Sequence, residues 1–307
     1  MMKKDLRAIS DLTSKDIEAI LKHSTALKKA QRQGKARTTL KGKSLGMIFE
    51  KSSTRTRVSF EVGMFQLGGR ALFLSSSDLQ IGRGEPIADT ARTLSRYLDG
   101  IMIRTFAQST VEELAQHASI PVINGLSDLH HPCQALADLF TIREKKGRLK
   151  GLKLAYVGDG NNVANSLIEA CVRAGMHISI ACPHGYEPDA GVMREAKREA
   201  ARTGSKLSIV NDPLKAAMDA DAVYTDVWAS MGQEAEHALR LRVFEGYQVN
   251  AKLMKAAHPG AIVMHCLPAH RGEEIAADVI DGPQSVIFDQ AENRLHTQKA
   301  VLEMLLG

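Results

Sequence analysis

Short apolar runs of strand length alternate with amphipathic helical patterns along nearly all of this 307-residue chain, and few folds admit that alternation. The first four runs are Leu45 to Phe49, Ala71 to Leu74, Ile101 to Ile103 and Pro121 to Ile123. The charged and glycine-bounded stretch Lys145-Lys146-Gly147-Arg148-Leu149-Lys150-Gly151 reads as a boundary. Beyond it the alternation restarts with Leu154 to Val157, Ile178 to Ala181, Leu207 to Val210, Ala222 to Thr225, Ala261 to Met264 and Val286 to Phe288. Strands that are apolar throughout, rather than at every second position, are covered on both faces. They therefore belong to parallel sheets with helices on either side. The length is about twice that of a usual domain. The expectation is an α/β protein of two doubly wound parallel-sheet domains, residues 1-147 and 148-292.

The helices carry their own signals. Thr13 with Asp16 three residues later is a capping pair, and Ile17, Ile20 and Leu21 mark one face. Pro86 starts a helical pattern running to Leu98, and Asn293 to Leu306 is amphipathic. Hydrophobic residues at 44% and charged residues at 24% suit packed cores. The N-terminus leads into no apolar signal core and no run is long enough to span a bilayer, so a cytoplasmic location is expected. Cys133, Cys171, Cys182 and Cys266 contain no C-x-x-C pair and are expected as reduced thiols. The net charge of +5 is spread over dispersed lysines and arginines with few aromatics, which argues against nucleic acid and for a small anionic substrate.

In open α/β sheets ligands bind beyond the carboxyl ends of the strands. After Leu45 to Phe49 comes Glu50-Lys51-Ser52-Ser53-Thr54-Arg55-Thr56-Arg57, which opens a helix. Hydroxyl donors at a helix start, joined by Arg55 and Arg57, form a phosphate cradle. It is not a nucleotide P-loop: Gly42-Lys43-Ser44 precedes its strand, and Arg37 stands where the first glycine belongs. Gly158-Asp159-Gly160-Asn161-Asn162-Val163 imitates a dinucleotide fingerprint. Val163 replaces the third glycine, however, and Cys182-Pro183 stands where a ribose-binding acid belongs. Other strand ends carry Arg104, Asp226 and Cys266, and the loop after Ile123 carries His130-His131-Pro132-Cys133-Gln134. Cys266 with His265 and His270, or Cys133 with His130 and His131, matches no zinc spacing, and no metal is expected.

These segments together resemble the aspartate/ornithine carbamoyltransferase family. Ser53-Thr54-Arg55-Thr56 is similar to its carbamoyl-phosphate loop, and His131-Pro132-Cys133-Gln134 to its second signature. Asp226-Val227-Trp228-Ala229-Ser230-Met231-Gly232 and His265-Cys266-Leu267-Pro268 resemble the two segments that mark the ornithine branch. The resemblance implies a carbamoyl-phosphate-binding domain (1-147), with helix 293-307 packing back on it. It also implies an ornithine-binding domain (148-292) and an active site in the cleft between them. Ser53, Thr54, Arg55 and Thr56 would hold phosphate. Arg104, His131 and Gln134 would polarise the carbamoyl group, with Pro132, Cys133 and Arg294 completing that side. Asn162, Asp226, Ser230 and Met231 would bind ornithine, and Cys266 and Leu267 would line the reacting amine. Gln80, in the loop Ser75 to Gly84, would reach an adjacent subunit's site in a homotrimer or an assembly of trimers. The substrates implied are carbamoyl phosphate and L-ornithine, with no membrane partner and no cofactor.

That reaction suits the residues. Carbamoyl phosphate already carries a good leaving group, so catalysis reduces to placing an amine on a carbonyl carbon and stabilising the oxyanion that forms. Cationic donors and a neutral histidine serve the oxyanion. Asp226 and Cys266 are the candidates for orienting the amine and easing loss of its proton. The long connection Ser230 to Asn250, with Gly232 and Gly246, is expected to act as a lid.

Overall fold

A computed structural model of the chain describes residues 4–229 and 234–307, arranged as two units. Unit 1 comprises Met1–Phe140 with Glu292–Gly307, and unit 2 comprises Thr141–Ala291. In chain order, unit 1 contains α1 (Ser14–Arg32), β1 (Ser44–Phe49), α2 (Thr54–Gln66), β2 (Arg70–Ser75), α3 (Ile87–Leu94), β3 (Gly100–Arg104), α4 (Gln108–His117), β4 (Val122–Leu126) and the start of α5 (Pro132–Lys146). Its sheet has the order β2-β1-β3-β4, every pair parallel. The capping pair at Thr13 forms: its hydroxyl accepts from Asp16 N at 3.2 Å, while Asp16 Oδ2 accepts from Thr13 N at 2.9 Å. α1 then buries Ile17, Ile20, Leu21 and Leu27. Ile48, Ile101, Ile103 and Val122 from the strands pack with Leu98, Val111 and Leu114 to form one core layer.

Unit 2 continues with β5 (Lys153–Val157), α6 (Asn162–Arg173), β6 (His177–Ala181), α7 (Ala190–Thr203), β7 (Leu207–Val210), α8 (Pro213–Ala217), β8 (Ala222–Thr225), α9 (His237–Val243), α10 (Ala251–Met254), β9 (Ile262–His265) and α11 (Ala277–Ile280). Its sheet runs β7-β6-β5-β8-β9, again parallel throughout. Val157, Val223, Val263 and Ile275 are among the side chains that fill its core. The fold class read from the alternation, two parallel-sheet α/β domains, is the observed one.

The final helix, α12 (Ile287–Leu306), corrects the sequence reading at Val286 to Phe288. That apolar triplet is not a strand. Ser285 makes an isolated bridge to Val263, and Val286 N donates to Val263 O at 3.0 Å. The chain then turns directly into the helix, leaving Phe288 71% exposed where a sheet position would bury it. Three apolar residues carry too little period to separate a strand from a helix start. The expected lid segment is also not a bare connection, since α9 occupies its middle; Ser230–Gln233 lie outside the described residues. Among the described residues, no helix is long and apolar enough to cross a membrane.

In both sheets the strand order reverses once, between β1 and β3 in unit 1 and between β5 and β8 in unit 2. Chains leaving the carboxyl ends of such a strand pair diverge to opposite faces and open a crevice. The chemistry-bearing residues of each unit follow these strands.

Candidate active site

In unit 1, Phe49 and Arg104 are register partners at the ends of β1 and β3. Ser53 caps α2, its hydroxyl accepting from Thr56 N at 3.2 Å, and the helix start it caps is of the kind that favours an anion. α5 starts at Pro132, directly after His131. Arg294 on α12 closes the arrangement: its Nη1 donates to Gln134 Oε1 at 2.6 Å, and its Nη2 donates to Thr56 Oγ1 at 3.2 Å. One guanidinium thus ties the phosphate-loop helix to the second signature helix. Gln134 in turn donates Nε2 to Asp138 Oδ1 at 2.8 Å.

His131 is buried among cations. Its imidazole is held well below the ordinary histidine value, first by burial and then by the charges of Arg294, Arg104 and Arg55. It is therefore neutral at physiological pH and offers a neutral imidazole in a cationic field. Three guanidiniums around one neutral ring are suited to an anion carrying a carbonyl. The Cys133 thiol is buried, donates to Asn124 O at 3.5 Å, and is pushed up to about 11 by burial, with the charge of Arg294 acting against the rise. Arg57, read from the sequence as part of the cradle, is turned elsewhere. It pairs with Glu61 at 2.9 Å and lies 3.9 Å from the Phe73 ring centroid. One helical turn cannot aim both Arg55 and Arg57, two positions apart, at one point.

In unit 2, Thr225 and His265 are register partners, so Asp226 and Cys266 follow neighbouring strand ends. The Cys266 thiol donates to Asp226 Oδ1 at 2.9 Å, and Asn161 Nδ2 donates to Asp226 Oδ2 at 2.8 Å. Asn161 also caps α6, its Oδ1 accepting from Val163 N and Ala164 N. Sequence reasoning singled out Asn162, which occupies the first position of α6, and passed over Asn161. A cap residue after a strand end was the available signal, since the cap must face the same crevice as the strand ends. Leu267 adopts φ +60, rare for a branched residue. Its backbone N–H donates to His265 Nδ1 at 2.9 Å, which places the ring proton on Nε2, 3.1 Å from Glu274 Oε1. The His265–Glu274 pair is fully buried and fixes the segment carrying Cys266.

The segment after Asp226 is anchored as well. Arg240 Nη1 donates to Trp228 O at 2.7 Å and to Asp159 Oδ2 at 2.8 Å, while Trp228 stacks on Phe244. Burial pushes Asp159 up to about 6 despite Arg240, with Asp226 adding to the rise. Gly160 is required here for close approach: a Cβ would lie 2.3 Å from Pro188 N and 2.4 Å from Glu187 C. The backbone that crowds Gly160 belongs to this chain, and Gly160 N donates to Tyr186 O at 2.9 Å.

Gln80 opens a short 3-10 turn beyond edge strand β2 and is exposed. Ser230 and Met231 lie outside the described residues. Lys51, overlooked in the sequence, is buried after β1, pairs with Asp128 and sits 4.2 Å from the Phe106 ring centroid. Among the described residues, groups able to hold a metal are Asp226 with His265 and Cys266, and His237 with His270 and Glu273; none includes Cys133, His130 or His131.

Comparison with known proteins gives matches over nearly the whole chain. Residues 4–144 match the carbamoyl-P binding domain, and residues 150–305 the Asp/Orn binding domain, of aspartate/ornithine carbamoyltransferase. The chain is 62% identical over 305 residues to an ornithine carbamoyltransferase of Syntrophus aciditrophicus (strain SB), covering 99% of this chain and 100% of the relative. It is similar to the solved ornithine carbamoyltransferase of Pyrococcus furiosus, with a TM-score of 0.96 and 57% identity over 99% of this chain and 97% of the other. An anabolic ornithine carbamoyltransferase from Campylobacter jejuni subsp. jejuni NCTC 11168 gives a TM-score of 0.93 at 40% identity, with 99% of each chain covered.

Proposed function

The chain belongs to the aspartate/ornithine carbamoyltransferase family, and from that premise we propose how its residues carry the reaction. It transfers the carbamoyl group of carbamoyl phosphate to the side-chain amine of L-ornithine, giving L-citrulline and phosphate. The anabolic Campylobacter relative supports the direction that serves arginine biosynthesis.

Ser53, Thr54, Arg55 and Thr56 bind the phosphate through the α2 start, and Arg104, His131 and Gln134 draw electron density onto the carbamoyl oxygen. Arg294 holds Gln134 and Thr56 in place and completes the positive field. As the amine nitrogen bonds to the carbonyl carbon, negative charge grows on that oxygen among fixed cationic donors, which need no reorganisation. Collapse of the tetrahedral intermediate breaks the C–O bond to phosphate, and the proton lost by the amine ends on the departing phosphate. Asp226 holds the α-ammonium of ornithine, Cys266 and Leu267 line its reacting end, and Asn162, Ser230 and Met231 complete the pocket.

One observation carries ornithine over aspartate: the buried carboxylate of Asp226, backed by a thiol and an amide. A buried anion attracts an ammonium and repels a dicarboxylate. The test is product formation from carbamoyl phosphate with ornithine, aspartate or putrescine. Citrulline from ornithine, in large excess over the other two products, is expected; carbamoyl-aspartate or carbamoyl-putrescine as the main product refutes the assignment. The enzyme works in the cytoplasm as a homotrimer, or as an assembly of trimers.

Gln80 serves the site of an adjacent subunit in that trimer. Gln80→Ala and Arg104→Ala are each expected to be nearly inactive as pure assemblies. Refolded together, the two variants form hybrids in which some sites lack neither residue, and a measurable fraction of activity returns. Hybrid trimers that stay at the activity floor show that each chain builds its own site.

A further inference from the structure

His237 opens α9, while His270 and Glu273 lie in the turn that follows β9 and Cys266. His237 Nε2 is 3.0 Å from Glu273 Oε2, and His270 Nδ1 is 3.5 Å from the same oxygen. The ligand atoms of all three residues lie within 4.8 Å of one another. Two nitrogen or oxygen ligands about 2.0–2.1 Å from a tetrahedral zinc ion are themselves roughly 3.3 Å apart. Two edges of a coordination triangle therefore already have the required length. The third closes by turning the imidazoles, whose rings meet edge to face with centroids 6.4 Å apart.

The turn bearing two of these ligands is pinned. Arg271 forks onto Asp281 at 2.9 and 2.7 Å. Gln248 Nε2 donates to the carbonyls of Gly272 and Glu273 at 2.9 and 3.0 Å. His270 N donates to Glu274 Oε1 at 2.6 Å, and Gly272, at φ +94, supplies the bend. All three ligand side chains are partly exposed, so an ion reaches them from solvent. The rival group, Asp226, His265 and Cys266, is spent by comparison: both ring nitrogens of His265 are engaged, with Leu267 N and with Glu274.

We propose that His237, His270 and Glu273 form a site for a borderline divalent transition-metal ion, zinc foremost, with water completing the shell. Two neutral imidazoles and one carboxylate suit such an ion, and they suit magnesium or calcium poorly, since those demand oxygen ligands. The bland alternative is an imidazolium–carboxylate cluster that binds no metal. Occupancy ties the first residue of α9 to the turn beyond Cys266 and stiffens both. None of this depends on the assigned reaction.

Calorimetric titration of the full-length protein with Zn2+, and separately with Mg2+, provides the test. One Zn2+ per chain is expected, with no Mg2+ uptake at this site. His237→Ala and His270→Ala should each weaken Zn2+ binding by more than the roughly 10- to 100-fold that losing a supporting hydrogen bond costs a metal site. Cys266→Ser should leave it within about threefold, and Co2+ bound in place of Zn2+ should show no thiolate charge-transfer band. Where an alanine variant melts without cooperativity, the matching glutamine variant is read in its place. Zn2+ binding that survives both histidine variants, or that vanishes with Cys266→Ser, overturns the proposal, as does the absence of binding.

Discussion

Arg55→Lys is expected to lower kcat/KM for carbamoyl phosphate by about 10- to 100-fold in a normally folded protein. The substitution keeps the positive charge, so a purely electrostatic role predicts little change. A guanidinium, however, presents planar paired donors that match a phosphate edge, whereas an ammonium presents one compact charge. Losing one charge-assisted bond of that kind costs about 1.5–3 kcal/mol. Arg55 lies in the first turn of α2, where the helix start already favours an anion, and it is one of three arginines acting on His131. Steady-state kinetics with both substrates varied, alongside a melting curve, provides the check. A folded variant with near-normal kcat/KM would remove Arg55 from the phosphate cradle.

Asp226→Asn should raise KM for ornithine by roughly 10- to 100-fold, while KM for carbamoyl phosphate moves by less than about threefold. Both carboxylate oxygens act as acceptors, one from Cys266 Sγ and one from Asn161 Nδ2. An asparagine offers one oxygen and one amino group, so one of those two donors would face another donor. The charge that attracts the α-ammonium is lost at the same time. Unit 1 and its cradle contain none of these groups, which is why the effect should be confined to one substrate. Equal weakening of both substrates would show that Asp226 holds the protein together and does not select the amine.

The sheets were legible because the strand runs are largely apolar, a pattern that parallel sheets favour, although edge strand β2 leaves Leu72 and Phe73 exposed. Val286 to Phe288 shows where that reading ends, since three apolar residues fit a strand and a helix start equally well. Strand-end logic singled out Arg104, Asp226 and Cys266, because a polar residue at the end of an apolar run has few other reasons to be there, and each stands at or directly after the end of a parallel strand. Side-chain direction was not legible in the same way. Arg57 stands in the same donor-rich run as Arg55 yet stacks on Phe73. Asn161, one residue from the position singled out, makes the bond to Asp226. Helix phase decides both, and phase depends on the cap, which composition does not reveal. Arg294 lies 160 residues from its partner Gln134 and was reachable only through the family resemblance.

The tie made by Arg294 also bears on how the chain is synthesised. A ribosome releases residues 1 to 140 early, and the strands and helices of unit 1 can begin to assemble while unit 2 is still being translated. Yet the guanidinium that joins Thr56 to Gln134, and Asn293, whose side chain accepts from buried Lys28 at 2.7 Å, emerge only after the whole of unit 2. Unit 1 is therefore finished late, however early its sheet forms. A chain whose translation stops within unit 2 would carry the Ser53-Thr54-Arg55-Thr56 loop without the residue that braces it.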